Sequence, residues 1–391
     1  MVVRVYLKQA WNLMKQNPLF STLYIVGTGI SIVMTMVIAI VYYVRLAPVY
    51  PETNRMRTLV VKSAKMTNDE STHSSNISYA MLKDWFYSLE SAEVSTGVSG
   101  TSYARVTNDK EEIPTYARYT DENFFRVFPL VFLEGKPFTE ADRRSGIHNV
   151  VLTDSYAQQL FGTTKGVVGK NFLMDYTNVK VVGVVKSGSF LTPDSYAQVY
   201  LPYSCRDGYD DEGSHWALGG YRVYILMKES KSVTDVQDEV LELVRKFNVS
   251  DMGDGWKLDL VGQPELYWHS TFRLWSNVAV DWGRVIWMFV GIFMVLLFVP
   301  AFNLSGMISA RMERQLPDLG IRKAFGASRR RLLVQIIWEN LLLTGLGTLL
   351  GLVIAWIVLA LSGYEIFSLF EVFPKFPPKG VNLGMGIDMF F

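Results

Sequence analysis

An ionisable side chain inside an apolar run is the first place to look for chemistry. Glu339, beside Asn340, lies in such a run from 332 to about 361. At membrane depth a carboxylate is costly and marks a functional site unless a partner neutralises it. The competing reading pairs Glu339 with an arginine of the 329–331 cluster at the edge of the run. Asn303, in a second apolar run, is a polar group suited to face a neighbouring helix. A nucleotide-binding loop needs glycines and a terminal Gly-Lys-Ser/Thr to cradle phosphates and hold magnesium. The nearest approach is Gly169-Lys170, but Thr164 stands where glycine is required and Asn171 where a hydroxyl is required. No HExxH, GxSxG or CxxC occurs. His73, His148, His215 and His269 lack the pairing of metal ligands and read as loop or surface residues. Asp210-Asp211-Glu212 lies in a Gly-rich loop and reads as a solvated patch in preference to a Ca²⁺ contact. One cysteine, Cys205, excludes an internal disulfide and a Cys-cluster metal site. A formal net charge of +1 gives no nucleic-acid footprint. Neither catalysis nor a bound cofactor or metal is therefore expected of this chain.

The elements that carry these residues are set by three apolar stretches. No charge occurs between Lys15 and Arg45 or between Arg284 and Arg311, and the third stretch, from 332 to about 361, carries Glu339 alone. About 20 such residues span the ~30 Å hydrocarbon core of a bilayer. The first stretch is too long for the apolar region of a cleaved signal peptide and ends in Tyr42, Tyr43, Arg45 and Pro48. Transmembrane helices are thus expected over 18–45, 284–309 and 332–362. Trp282 and Trp287 read as interfacial anchors and Pro300 as a kink. Lys and Arg flank the first span on its N-terminal side and fill the link between the second and third. Both flanks are expected to be cytoplasmic, with a cytoplasmic N-terminus. Residues 1–17 read as an amphipathic helix on the inner surface with Trp11 at the interface.

This topology leaves 46–280 outside as one large α+β domain. Strands are expected over 57–62, 221–227 and 256–261, one or two strands over 93–106, and amphipathic helices over 78–92 and 232–247. The simplest arrangement is a first lobe from 46–120 and 219–280, with 121–218 inserted as a second lobe. Within the insert, 149–162 reads as a strand and a helix capped by Thr153 or Asp154, and 171–185 as a hairpin turning near Thr177-Asn178. The chain is therefore expected to be an α-helical transmembrane protein with a two-lobed α+β domain between its first two membrane helices. Gly27-xxx-Ser31 and Gly347-xxx-Gly351 permit close helix approach, within the chain or between chains.

The link 310–331, ARMERQLPDLGIRKAFGASRRR, is more organised than a loop that supplies only positive charge. It reads as a short helix, a break at Pro317 or Gly320, and a second short helix carrying Ile321, Ala324 and Phe325. Apolar side chains on a charged helix suit a groove on a partner. RMERQLPDLGIRKAFGASRRRLLVQIIWEN closely resembles the signature after the second span of MacB/FtsX-type ABC transporter permeases. There an acidic residue precedes G-[IV]-R-K-A-[FL]-G-A and a basic run, followed by Gln and Glu entering the next span. YTDENFFRVFPLVFLEGKPFTEADRRSGIHNVVLTDSYAQQLFG and GKNF…VKVVGVV are similar to the family's periplasmic core domain.

The resemblance implies that a separate ABC ATPase, carrying ATP and magnesium, docks at Glu313, Arg314, Asp318, Gly320, Ile321, Arg322, Lys323, Ala324, Phe325, Gly326 and Ala327. It implies a location in the bacterial inner membrane and a second permease chain, as homodimer or paralogous heterodimer. It also opens the way to a periplasmic adaptor and an outer-membrane channel. The family has a fourth span after a tail like 363–391, which the sequence does not reach. Two functions follow: extrusion of an amphiphile, peptide or lipoprotein, or FtsX-like mechanical signalling to a cell-wall hydrolase or sensor kinase. A two-lobed outer domain favours extrusion.

Overall fold

The computed structural model describes residues 11, 15, 18–100, 102–108, 111–189, 192–210, 217–250, 255–326 and 328–368. They fall into a helical unit, from residues up to Tyr42 and from Trp282 onward, and a strand-rich unit over Tyr43–Asp281. Of the expected helix at 1–17, only Trp11 and Lys15 are described, with the Lys15 ammonium 5.8 Å from the Trp11 ring centre. Helix α1 runs Pro18–Leu46. Proline opens a helix without penalty because the first N–H groups have no intrahelical acceptor. Within α1, Ser21–Leu46 is long and apolar enough to cross a membrane.

The strand-rich unit continues with β1 (Thr58–Val61), β2 (Ala64–Thr67), β3 (Thr72–Ile77), α2 (Tyr79–Asp84) and β4 (Ala92–Ser99). The Ser78 hydroxyl accepts from the Met81 N–H and caps α2. The helix expected over 78–92 stops early. Trp85, Phe86 and Leu89 are buried alongside Met81 and Leu82, and the chain reaches them through a 3₁₀ turn, Phe86–Ser88, before entering β4. Next come β5 (Ser102–Asn108), β6 (Glu111–Thr120), α3 (Phe124–Val127), β7 (Phe132–Gly135), α4 (Glu140–Arg144), β8 (Asn149–Thr153) and α5 (Asp154–Phe161). They are followed by β9 (Asn171–Met174), β10 (Thr177–Val185) and β11 (Val199–Pro202). The chain then returns through β12 (Leu218–Gly219), β13 (Tyr221–Met227), α6 (Val233–Val249), β14 (Lys257–Asp259), β15 (Glu265–Leu266) and α7 (Tyr267–Ser270).

Two sheets result. The first runs β14-β2-β3-β13-β1-β15, with β12 on β3 and β4 on β13. Its spine is β13, antiparallel to β1 over Val223–Leu226 and to β4 along its whole length. All four residues of β1 are buried because both faces of this sheet are covered. Leu59, Val61, Val223 and Ile225 share a core with Val236, Val240, Val244 and Phe247 of α6. Those four recur at helical spacing, and burying each is worth about 1.5–3 kcal/mol. Val60, Tyr224 and Leu226, on the other face, pack with Phe124, Phe128, Phe138 and Tyr200. In the second sheet the pairing path β10-β8-β11-β6-β5-β9 returns to β10, so six strands form a ring with β7 hydrogen-bonded to the end of β10. Closing the ring covers strand edges that an open sheet would expose.

Register places two elements differently from the sequence reading. β5 and β6 belong to the second sheet, so that sheet begins near 102, inside the stretch expected to build the first lobe; alternation alone does not say which sheet a strand joins. The β9–β10 hairpin turns at Asp175-Tyr176, two residues before Thr177-Asn178. Both turn residues have positive φ, 45° and 64°, which matches the twist of a two-residue hairpin.

In the helical unit, α8 (Trp282–Ala324, 43 residues) and α9 (Arg329–Ser368, 40 residues) are joined by a short turn. Leu332–Leu361 of α9 is long and apolar enough to span a membrane, and Trp282–Phe298 of α8 is a shorter apolar segment. The break expected at Pro317 or Gly320 is absent, and α8 continues through both. Proline removes one hydrogen bond, but extending an existing helix is far easier than nucleating a new one. Residues 369–391, with the expected tail, lie outside the described residues.

Candidate functional site

The α8–α9 elbow gathers the residues singled out in the link. Glu313, Arg314, Asp318, Gly320, Ile321, Arg322, Lys323 and Ala324 occupy the last turns of α8, followed by Phe325 and Gly326 in the turn. Ala327 lies outside the described residues. Phe325 N–H donates to Ile321 O, Gly326 N–H donates to Lys323 O, and Gly326 adopts φ +88°. This is a left-handed helix stop that favours glycine. Leu316, Ile321 and Phe325 are 59%, 57% and 87% exposed. Large apolar side chains standing out beside Lys323, Arg329 and Arg330 are what a partner groove would cover.

Along the membrane stretch, Gly347 and Gly351 lie against α1. A Cβ on Gly347 would stand 2.7 Å from the Thr28 Cβ, and one on Gly351 2.7 Å from both the Gly29 carbonyl and the Ile32 Cβ. Tyr24 and Thr344 hydroxyls are 3.0 Å apart across the same pair of helices. Ser31 instead donates to the Gly27 carbonyl in its own helix at 3.0 Å. Asn303 lies in α8 and Glu339 in α9. Since α9 is continuous from Arg329, Glu339 is ~15 Å up the helix from that arginine. The Asn340 amide donates to Ile336 O at 3.1 Å, turning its polar group back onto its own helix.

The strand-rich unit contains two buried polar clusters. Glu52 and Arg55 are 1% and 2% exposed. The Arg55 Nε and Nη2 donate to Glu52 Oε2 at 2.9 and 2.6 Å. The same oxygen takes the Tyr267 hydroxyl at 2.7 Å, and Oε1 takes the Ser195 N–H and hydroxyl at 3.0 and 2.8 Å. Arg55 Nη1 also donates to Val44 O and Ala47 O, satisfying carbonyls at the C-terminal end of α1. Beside it, burial acts to raise the Asp194 carboxyl, but Lys62 and Arg222 outweigh this and hold it well below the usual carboxylate range.

The second cluster centres on Asp121, which accepts from Tyr87 OH (2.6 Å), Gly97 N–H (2.8 Å), Thr96 OH (2.7 Å), Asn123 N–H (2.9 Å) and Phe124 N–H (3.2 Å). Burial pushes this carboxyl up to about 6 against the pull of those donors. Among the described residues no three His, Cys, Asp or Glu side chains gather as metal ligands. Gly169-Lys170 lies in a turn leading into β9, with the Lys170 ammonium over the Phe161 ring at 5.1 Å.

Residues 20–243 match the model of the MacB-like periplasmic core domain, more than half of the chain. The chain belongs to that family. Residues 277–389 match the FtsX-like permease C-terminal family, which takes in both helices of the elbow. This MacB-type ABC permease is 22% identical over 268 residues to the macrolide export ATP-binding/permease protein MacB of Escherichia coli O157:H7, covering 67% of this chain and 39% of that protein. The MacB of Escherichia coli strain K12 matches to the same extent. The chain thus spans about two fifths of the length of these relatives. Solved structures similar to part of it include the periplasmic region of MacB from Actinobacillus actinomycetemcomitans, with TM-score 0.37, 16% identity, 51% of this chain and 88% of that one. The extracellular domain of the noncanonic ABC-type transporter YknZ from Gram-positive bacteria gives TM-score 0.36 and 16% identity, over 50% of this chain and 99% of that one.

The buried clusters of this MacB-type permease escape a reading by pattern. Glu52 and Arg55 stand three apart after an apolar helix, a spacing equally at home on a solvated turn. Asp121 stands three residues before Phe124, as an N-terminal capping residue does. That spacing is its one local signal; its bonds to Tyr87, in the 3₁₀ turn, and to Gly97, in β4, come from elements distant in sequence.

Proposed function

We propose that the chain is the transmembrane, non-catalytic subunit of an ABC-type export system in the bacterial inner membrane, with its N-terminus cytoplasmic. ATP and magnesium belong to a separate ATPase subunit that grips the α8–α9 elbow. Hydrolysis there moves α8 and α9, and the movement reaches the periplasmic domain, which extrudes an amphiphile, peptide or lipoprotein. A second permease chain, identical or paralogous, completes the transporter, and a periplasmic adaptor and outer-membrane channel are its candidate partners. The observation that carries this reading is the row of exposed apolar side chains, Leu316, Ile321 and Phe325, at the end of a helix that begins with the apolar segment Trp282–Phe298. Left in water, that row is a liability with no folding benefit; in a groove it is an anchor. The exporter relatives support the choice of extrusion.

Affinity purification from the native membrane tests the docking. The tagged chain is expected to bring down an ATP-binding subunit, and Arg322→Glu combined with Ala324→Asp to abolish its recovery while the permease itself is made and inserted. Undiminished recovery by the double variant would overturn the assignment.

A further inference from the structure

Residues 274–280, just ahead of α8, carry no charge and show Leu274, Trp275 and Val278 at 66%, 68% and 47% exposure. A floppy loop could fold such residues away; this one is held open. Arg273, 3% exposed, forms an ion pair with Glu265, 7% exposed, and donates to Val261 O at 2.8 Å. Its remaining arm reaches across the loop to Val278 O at 2.7 Å. The Ser63 hydroxyl donates to Ser276 O at 2.6 Å, and the Val278 N–H donates to Trp275 O at 3.1 Å. The polar backbone is thus turned inward onto β15 and the β1–β2 turn, and the apolar side chains are displayed outward. Breaking a buried arginine pair is strongly unfavourable, so the loop cannot retract them cheaply.

The loop is also tethered close to the bilayer. Val278 is four residues and Trp275 seven residues ahead of Trp282, where α8 begins, so the chain between Trp275 and Trp282 extends at most ~24 Å. Tryptophan with aliphatic neighbours and no charge is the composition that settles where headgroups meet acyl chains.

We propose that residues 274–278 form a fixed ledge that inserts Leu274, Trp275 and Val278 into the outer-leaflet interface, with lipid as its ligand. This rests on the reading of α8 as a membrane helix. The ledge gives the strand-rich unit a contact with lipid of its own, besides the membrane helices.

Single cysteines at Leu274→Cys and Val278→Cys, in a Cys205→Ser background, would carry the environment-sensitive fluorophore NBD. The full chain would be reconstituted in phosphatidylethanolamine/phosphatidylglycerol vesicles. Thr163→Cys, on an exposed loop, and Ile286→Cys, on the exposed face of α8, serve as water and membrane controls. Both ledge positions are expected to show blue-shifted emission relative to Thr163→Cys. They should also be quenched more by a spin label near the headgroup than by one deep in the acyl chains. Water-like, unquenched emission at the ledge with a quenched Ile286→Cys would overturn the ledge and leave the topology standing. A blue shift without lipid quenching would overturn it in favour of a protein partner or second copy. Failure of Ile286→Cys to be quenched would overturn the membrane reading and the ledge with it.

Discussion

At the residue scale, the strand-rich unit is organised by charges taken out of water. The Glu52 carboxylate accepts five hydrogen bonds from three chain segments, and Arg55 returns two bonds to carbonyls of α1 and its end. Removing one member of a buried pair leaves the other uncompensated. Glu52→Ala is therefore expected to cost about 3–5 kcal/mol in denaturant unfolding of the full chain in detergent, far more than truncating an exposed glutamate. Asp121 gives a pH-dependent prediction. Its carboxyl titrates at about 6 folded against 3.8 for an ordinary aspartate, so the folded state holds the proton more tightly. Its contribution is most favourable below 3.8 and declines as pH rises through about 6. Tyr87→Phe removes a donor that stabilises the ionised form. Its cost is expected to be about 1.5–3 kcal/mol at pH 8 and smaller at pH 5, read as the difference in unfolding free energy at the two values.

At the element scale, the close approach of α1 and α9 depends on glycine having no side chain. A Cβ at Gly351 would meet the Gly29 backbone at 2.7 Å, an atom that cannot swing aside. Gly351→Val is expected to separate the helices and cost about 1–3 kcal/mol, with a matching fall in the melting temperature in detergent. Gly345, with nothing near its Cβ position, provides the control: Gly345→Ala should be neutral or slightly stabilising. The small-residue spacing in the two apolar runs was legible as a packing device. The partner faces were not, because spacing gives the shape of one helix and contact needs two. Thr28, Gly29 and Ile32 meet the α9 glycines, whereas Ser31 bonds within α1.

At the scale of the whole molecule, the chain holds long apolar helices and a strand-rich unit, and its sequence carries no G-x-x-x-x-G-K-[ST] motif. The purified permease is expected to release no inorganic phosphate from ATP above a vesicle blank, and to support hydrolysis only with its partner subunit present. What the order of residues settled by itself was the division into apolar rods, a folded α+β segment and a basic elbow. These depend on run length, charge and periodicity, which are local and additive along the chain. What only the tertiary structure decided was where β5 and β6 belong, the closure of the second sheet into a ring, the continuity of α8 through Pro317, and the burial of Glu52, Asp121 and Asp194. The helix continuity is local propagation that outweighs one lost hydrogen bond; the others are choices among partners far apart in sequence, made by cross-strand hydrogen bonds and desolvated charge pairs.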